Sequence, residues 1–218
     1  SIGLLFIIIF GIGIFFLTHE KNQVSINKTP ATTAVKKLYQ SILDGTMIED
    51  ESAANRHPLA IIVENDPGAR PQSGLDKANI VYETVYDPAA TTRFLAIFGN
   101  TEADKVGPIR SVRTFFVDWA HGLDAYLGHW GGNIDALDKI SKENAPDLDE
   151  FRYAGLYWRD KSSGTSSEHT GYTSTLKLRE QAEKNGYSSA NNFNIYKFKD
   201  DPVSTDPAVA PISQELTI

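Results

Sequence analysis

The side chains in this chain whose types and spacing could do chemistry are arginines and histidines set in constrained loops. Arg110 and Arg113 lie in the segment 106–113 (Val-Gly-Pro-Ile-Arg-Ser-Val-Arg), where a tight turn is expected to run into a helix. Free N–H groups at a helix start, together with guanidinium forks, make a ready site for a carboxylate or phosphate. The same two arginines could instead pair with this acidic domain's own carboxylates. Arg70 and Gln72 sit in the loop 69–75 (Ala-Arg-Pro-Gln-Ser-Gly-Leu), in which Pro71 fixes φ and Gly74 permits a backbone conformation other residues avoid. They offer donors to a polar ligand, or form a plain surface turn. His129, followed by Trp130, Gly131 and Gly132, stands at an expected strand-to-helix turn, where layered α/β folds commonly bind ligands. His129 and Trp130 could equally pack and hydrogen-bond within the fold. His169, in the segment 168–173 (Glu-His-Thr-Gly-Tyr-Thr), could act as acid, base or ligand. Glu168 could orient it only if local geometry allows, because adjacent residues on a strand face opposite ways.

Several chemistries lack their residues. No cysteine is present, no His-Glu-x-x-His occurs and the two histidines are far apart, so neither a metal nor a cofactor is expected. There is no Gly-x-Ser-x-Gly elbow, although serines precede His169, and no P-loop glycine pattern. Asp147, Asp149 and Glu150 read as a solvated acidic face rather than a glycosidase pair. A formal net charge of −7 and the lack of a basic run argue against nucleic acid as a partner.

The elements that must position these residues follow from hydrophobic patterning in a chain of 218 residues, 41% hydrophobic and 22% charged, which is enough to bury a core. Residues 2–17 contain only Ile, Leu, Phe and Gly, and as a helix would span about 24 Å, slightly short of a hydrocarbon core of about 30 Å. They are expected to be a single-pass anchor (1–18), its start cut short, with the soluble domain outside the cytoplasm. A polar stalk (19–56) follows, with a short amphipathic helix through Val35, Leu38, Tyr39, Ile42 and Leu43 that stops at Gly45. The globular domain is expected over 57–199, a proline-rich linker over 200–211, and the opening of a further domain over 212–218.

Within 57–199, residues 59–63 read as a buried strand, and 79–86 with 92–98 as a β-hairpin. A helix is expected through Phe115, Phe116, Trp119 and Leu123, then a strand over 124–130 and a helix bearing Ile134, Leu137 and Ile140. A strand over 151–158, a serine loop over 162–167, and a helix from Thr173 to about Asn185 with Gly186 beyond it complete the reading. Strands and helices alternate, so the fold class is α/β or α+β: one layered domain of mixed sheet and helices after the anchor.

The constrained loops, together with Pro58-Leu59-Ala60, Val81-Tyr82-Glu83 and Thr92-Arg93-Phe94, resemble the YerB family of bacterial lipoproteins. The likeness runs from about Pro58 to Phe198, and Arg-Pro-Gln-Ser-Gly-Leu with Gly-Pro-Ile-Arg-Ser carries most of it. It implies a bacterial envelope protein, anchored outside the cytoplasmic membrane, whose main domain has no assigned reaction. Family members commonly carry a lipid-modified cysteine, absent here, so a transmembrane anchor would take its place. The family also has a second, C-terminal domain.

Two functions follow as expectations. The first is a binding or scaffolding module that recognises an anionic or peptidoglycan-type ligand, or an envelope partner protein, through Arg70, Gln72, Arg93, Arg110 and Arg113, with His129 and His169 nearby. The alternative is a hydrolase or transferase acting on envelope glycan or peptide, with a histidine as acid or base. No complete catalytic set can be assembled from the residues, which favours binding. Limited proteolysis of the full chain is expected to cut first within 19–30 and 200–211 and to spare the interval 56–198; early cleavage inside 79–98 would contradict the hairpin.

Overall fold

The structure is a computed structural model, described here for residues 36–87, 91–162, 166–188 and 196–198. The expected anchor, the stalk up to residue 35, the linker, the start of the further domain, and positions 88–90, 163–165, 189–195 and 199 lie outside the described residues. Among the described residues no helix is long and apolar enough to cross a membrane. From Lys37 onward the described residues belong to one compact unit.

The unit opens with β1 (Tyr39–Gln40) and β2 (Met47–Ile48), an antiparallel pair, and with the short helix α1 (Glu51–Ala54), which Asp50 caps through Ser52 and Ala53. The helix expected near Leu38 to Leu43 is therefore a strand and a turn, with Gly45 at φ +73°. The reason is tertiary, because Leu43 is buried in the core beneath the sheet rather than along a helix face.

The sheet is built from β3 (Leu59–Glu64), β4 (Ile80–Val85), β5 (Thr92–Phe98), β6 (Tyr126–His129) and β7 (Asp147–Asp149), in the order β4-β5-β3-β6-β7. β4 and β5 form the expected hairpin, with Val85 opposite Thr92. β3 pairs antiparallel with β5 and parallel with β6, so it is central, and all six of its residues are buried. That is why its sequence is an unbroken apolar run until its last residue. Helix α2 (Thr114–Gly122) precedes β6, and helix α3 (Ile134–Glu143) carries the chain from β6 to β7. Asp135 in the first turn of α3, Lys142 in its last and Asn144 in the left-handed conformation suit its two ends. β8 (Tyr157–Arg159) and β9 (Gly171–Thr173) pair antiparallel, and α4 (Thr175–Lys184) follows from a Ser174 cap.

Two apolar layers result. Ala60, Ile62, Leu95 and Ile97 pack against Phe116, Val117, Ala136 and Ile140 of α2 and α3. Leu59, Ile61, Val63 and Phe98 face Tyr157, Leu178 and Ala182, the last two from α4. The fold is a mixed α+β domain with helices on both faces of a mixed sheet. Of the strand expected over 151–158, only its end is extended, since Ala154–Leu156 form a 3-10 turn.

The acidic stretch 147–149 is not a solvated face but the edge strand β7. Its Asp147 and Asp149 flank His129, which is fully buried: Nε2 lies 2.7 Å from Asp147 Oδ1, and Nδ1 lies 2.9 Å from the Gly131 carbonyl. Asp149 Oδ1 in turn accepts from Gly131 N at 2.7 Å. His129 is thus a core histidine that locks β6, β7 and the turn into α3. His129→Ala, by stranding the Asp147 carboxylate at this packed junction, is expected to lower unfolding free energy by about 3 kcal/mol in denaturant titration.

The segment 107–112, expected as a turn entering a helix, is extended. Gly107 has φ +147°, and a Cβ there would meet Gly171 O at 2.7 Å. Gly107→Ala should therefore cost about 2 kcal/mol. Gly155→Ala, where a Cβ meets nothing within 4 Å, should stay within about 0.5 kcal/mol in the same unfolding measurement.

Candidate functional site

β3 and β6 pair at Leu59–Ile61 and Tyr126–Gly128 and then separate. The segment 109–112 enters the gap. Against β3 it runs antiparallel, with Arg110 N donating to Ile62 O at 3.1 Å and Glu64 N to Pro108 O at 2.9 Å. Against the chain leaving β6 it runs parallel, with Trp130 N donating to Arg110 O at 3.1 Å and Val112 N to Gly131 O at 2.9 Å. Arg110, Ser111 and Arg113 therefore stand at the carboxyl ends of two parallel strands, where open α/β sheets bind ligands.

Glu64, the last residue of β3, is the hub. Its side chain is 2% exposed. Oε1 lies 3.0 Å from Arg110 Nε, an ionic contact outside hydrogen-bond geometry, and Oε2 lies 2.7 Å from His169 Nδ1. Arg110 reaches Glu168 as well, through Nη1 to its carbonyl at 3.1 Å and Nη2 to Oε2 at 3.7 Å. Arg110 thus meets internal carboxylates, and it also lines a pocket.

Arg93 lies directly across from Glu64 on β5 and is 2% exposed. Its Nη1 donates to Ser111 O at 2.6 Å and to Ser111 Oγ at 3.3 Å, its guanidinium stacks 3.6 Å from the Tyr86 ring centroid, and its Nε has no hydrogen-bond partner. Arg113 donates to Ser111 Oγ and to Val112 O, both at 3.0 Å, and shares the Tyr86 ring at 5.4 Å. Among the described residues neither arginine has a carboxylate at ion-pair distance. Burial, then the neighbouring Arg113, pulls Arg93 down to about 10, so it still carries its charge at neutral pH. Burial likewise lowers Arg113. Arg113 also occupies the N-cap of α2 and makes no side-chain cap. A cation is disfavoured there by the positive end of the helix dipole.

Behind Ser111 opens a pocket of about 230 Å³ lined by Ile109, Arg110, Ser111, Trp130, Arg159, Glu168 and Gly171. Arg159 stacks over Trp130 at 4.4 Å and donates to the Ser167 carbonyl and to Thr170 Oγ1 at 3.3 Å. It too has no carboxylate at ion-pair distance among the described residues. Gly171 lets the Trp130 ring approach, since a Cβ there would lie 2.5 Å from Cζ3.

The structure brings Arg93, Arg110, Arg113 and His169 into this cluster. Arg70 and Gln72 are at the same end of β3 but serve its turn: Arg70 Nη2 donates to Asn65 O at 3.3 Å, and Gln72 Nε2 to Glu64 O at 3.1 Å and Asn65 Oδ1 at 2.9 Å. His129 does not face the pocket. It follows Leu127 onto the α2 and α3 side, while Trp130, one residue on, turns to the other side and takes the place expected for it. Glu64, Tyr86, Ser111 and Arg159 were not singled out from sequence. Glu64 alone left a signal, being a carboxylate that ends a wholly apolar strand and so needs a partner.

Comparison with known proteins agrees with this fold. The chain is 34% identical over 187 residues to a protein of Bacillus subtilis (strain 168) described as "Putative lipoprotein YerB", covering 85% of this chain and 54% of that protein. It thus spans about half the length of that relative. The crystal structure of YerB protein from Bacillus subtilis superposes with a TM-score of 0.68 at 34% identity, covering 75% of this chain and 55% of that one. The profile described as "Protein of unknown function (DUF3048) N-terminal domain" matches residues 43–188, and the chain belongs to that family.

Proposed function

We propose that this protein is a membrane-anchored, extracytoplasmic binding or scaffolding module that takes an anionic group of an envelope ligand or partner protein between Arg110 and Arg159. The description of its relative as a lipoprotein supports the location. The apolar run 2–17 supports an anchor, in this chain a transmembrane one. The observation that carries the binding reading is the pocket lined by both Arg110 and Arg159, of which Arg159 has no carboxylate at ion-pair distance among the described residues. Nearby, buried Arg93 and half-buried Arg113 add two guanidiniums that likewise have no carboxylate at ion-pair distance among the described residues, in a chain whose net charge is −7. Positive charge concentrated at one place in an acidic protein favours a bound anion.

A second reading has one favourable contact. His169 is oriented by buried Glu64 at 2.7 Å, as an acid or base of a hydrolase or transferase would be. Turnover of an envelope glycan or peptide that His169→Ala abolishes would favour it. Binding needs only the convergence of donors, which the arginines provide.

The test is titration of the full chain with acetate and with inorganic phosphate, followed by NMR shifts and by thermal unfolding. Saturable binding is expected, and Arg159→Ala should weaken it about tenfold, the loss of one charge-assisted hydrogen bond. Because Arg159 is exposed and braces no carboxylate, stability should change little. Arg110→Ala should lose affinity and also about 3 kcal/mol of stability, since it leaves Glu64 buried without its guanidinium. Arg110→Lys should recover only part of the affinity. Unchanged affinity in Arg159→Ala, or no saturable binding at all, would remove the site.

A further inference from the structure

The pocket between Arg110 and Arg159 carries charge of both signs, and this narrows the ligand beyond an anion. Glu168 is the exposed member, its side chain 60% accessible, and it stands 3.7 Å from Arg110 Nη2. Arg110 already has buried Glu64 at 3.0 Å, so Glu168 is a second carboxylate on a guanidinium that is already paired. We infer that the pocket binds the zwitterionic head of an α-amino acid, with its carboxylate between Arg110 and Arg159 and its ammonium at Glu168. The inference rests on the anion-site reading above and names the ligand class for it.

Three observations select this class. A volume of about 230 Å³ accepts a small head group but not an extended glycan. Trp130 is not a free stacking platform for a sugar or a base, because Arg159 covers it at 4.4 Å and Gly171 packs at its ring edge. A phosphate or sulfate dianion would meet Glu168 as a like charge, whereas an ammonium on the carbon next to the carboxylate meets it as a counterion. Arg110 Nη1 is held by the Glu168 carbonyl at 3.1 Å, and Arg159 by Ser167 and Thr170, so both forks are set before the ligand arrives.

Such a head can come from a free amino acid or from the unblocked end of a diamino-dicarboxylic acid within a peptide. The full chain would be titrated by NMR with alanine, alanine amide, N-acetylalanine, acetate, and 2,6-diaminopimelate acylated on one amine. Alanine should bind, and the amide and the N-acetyl derivative should each bind about tenfold more weakly, each having lost one charged contact. Tighter binding of alanine than of the acylated diamino acid assigns a free amino acid as the source, and the reverse assigns a peptide-borne head; either supports the inference. Glu168→Gln should abolish the preference for alanine over N-acetylalanine, weakening alanine and not weakening N-acetylalanine, with the melting temperature as a control for folding. Equal affinity for alanine and N-acetylalanine would overturn the zwitterion while leaving the anion site intact. Failure of alanine, N-acetylalanine and acetate alike would overturn both.

Discussion

The arrangement at the site depends on one backbone event: β3 and β6 part after three paired residues, and the segment 109–112 hydrogen-bonds into the space between them. A parallel pair that opens leaves N–H and C=O groups without ladder partners, and in a buried sheet those groups must be satisfied. The inserted segment satisfies both sides at once, antiparallel to β3 and parallel to the chain leaving β6. Its side chains are thereby fixed by main-chain geometry, which sets them more rigidly than a loop could. Gly107 at φ +147° and Gly171 allow the backbone and the Trp130 ring to come this close.

On that frame the electrostatics are unbalanced in a directed way. Glu64 offsets the charge of Arg110 and also meets the His169 ring, and Ser111 spreads its carbonyl and hydroxyl over Arg93 and Arg113. Tyr86 supplies a ring face where a carboxylate would otherwise be expected. The depression of Arg93 to about 10 reflects a guanidinium held in a poorly solvated place beside another cation. Arg113, at the N-cap of α2, is in addition a cation at the positive end of a helix dipole. Local rules broken together at these strand ends are what the proposed binding role would account for.

The sequence pattern was most legible where periodicity and burial coincide. β3 as an apolar run, the β4 and β5 hairpin, helices α2 and α3, and Gly186 beyond α4 all stand close to where the residues suggested. It misled where tertiary pairing overrides local signal. Asp147 and Asp149 look like solvent-facing acids until His129 is placed between them, and Leu43 looks helical until the core beneath the sheet claims it. Arg159 gave no sign because its importance comes from stacking on Trp130 across a different strand end.

By itself the sequence determined the layered α+β class, the order of the main strands and helices, the YerB-like family, and the arginine-rich loops that deserve scrutiny. Those depend on hydrophobic period, turn residues and short motifs, which are local. Only the tertiary structure decided that Trp130 and not His129 faces the pocket, that Arg70 and Gln72 brace a turn, and that Arg93 is buried without a carboxylate at ion-pair distance among the described residues. Side-chain facing and charge pairing are set by strand register and by contacts between residues far apart in the chain, such as Glu64 with His169, and no local pattern encodes them.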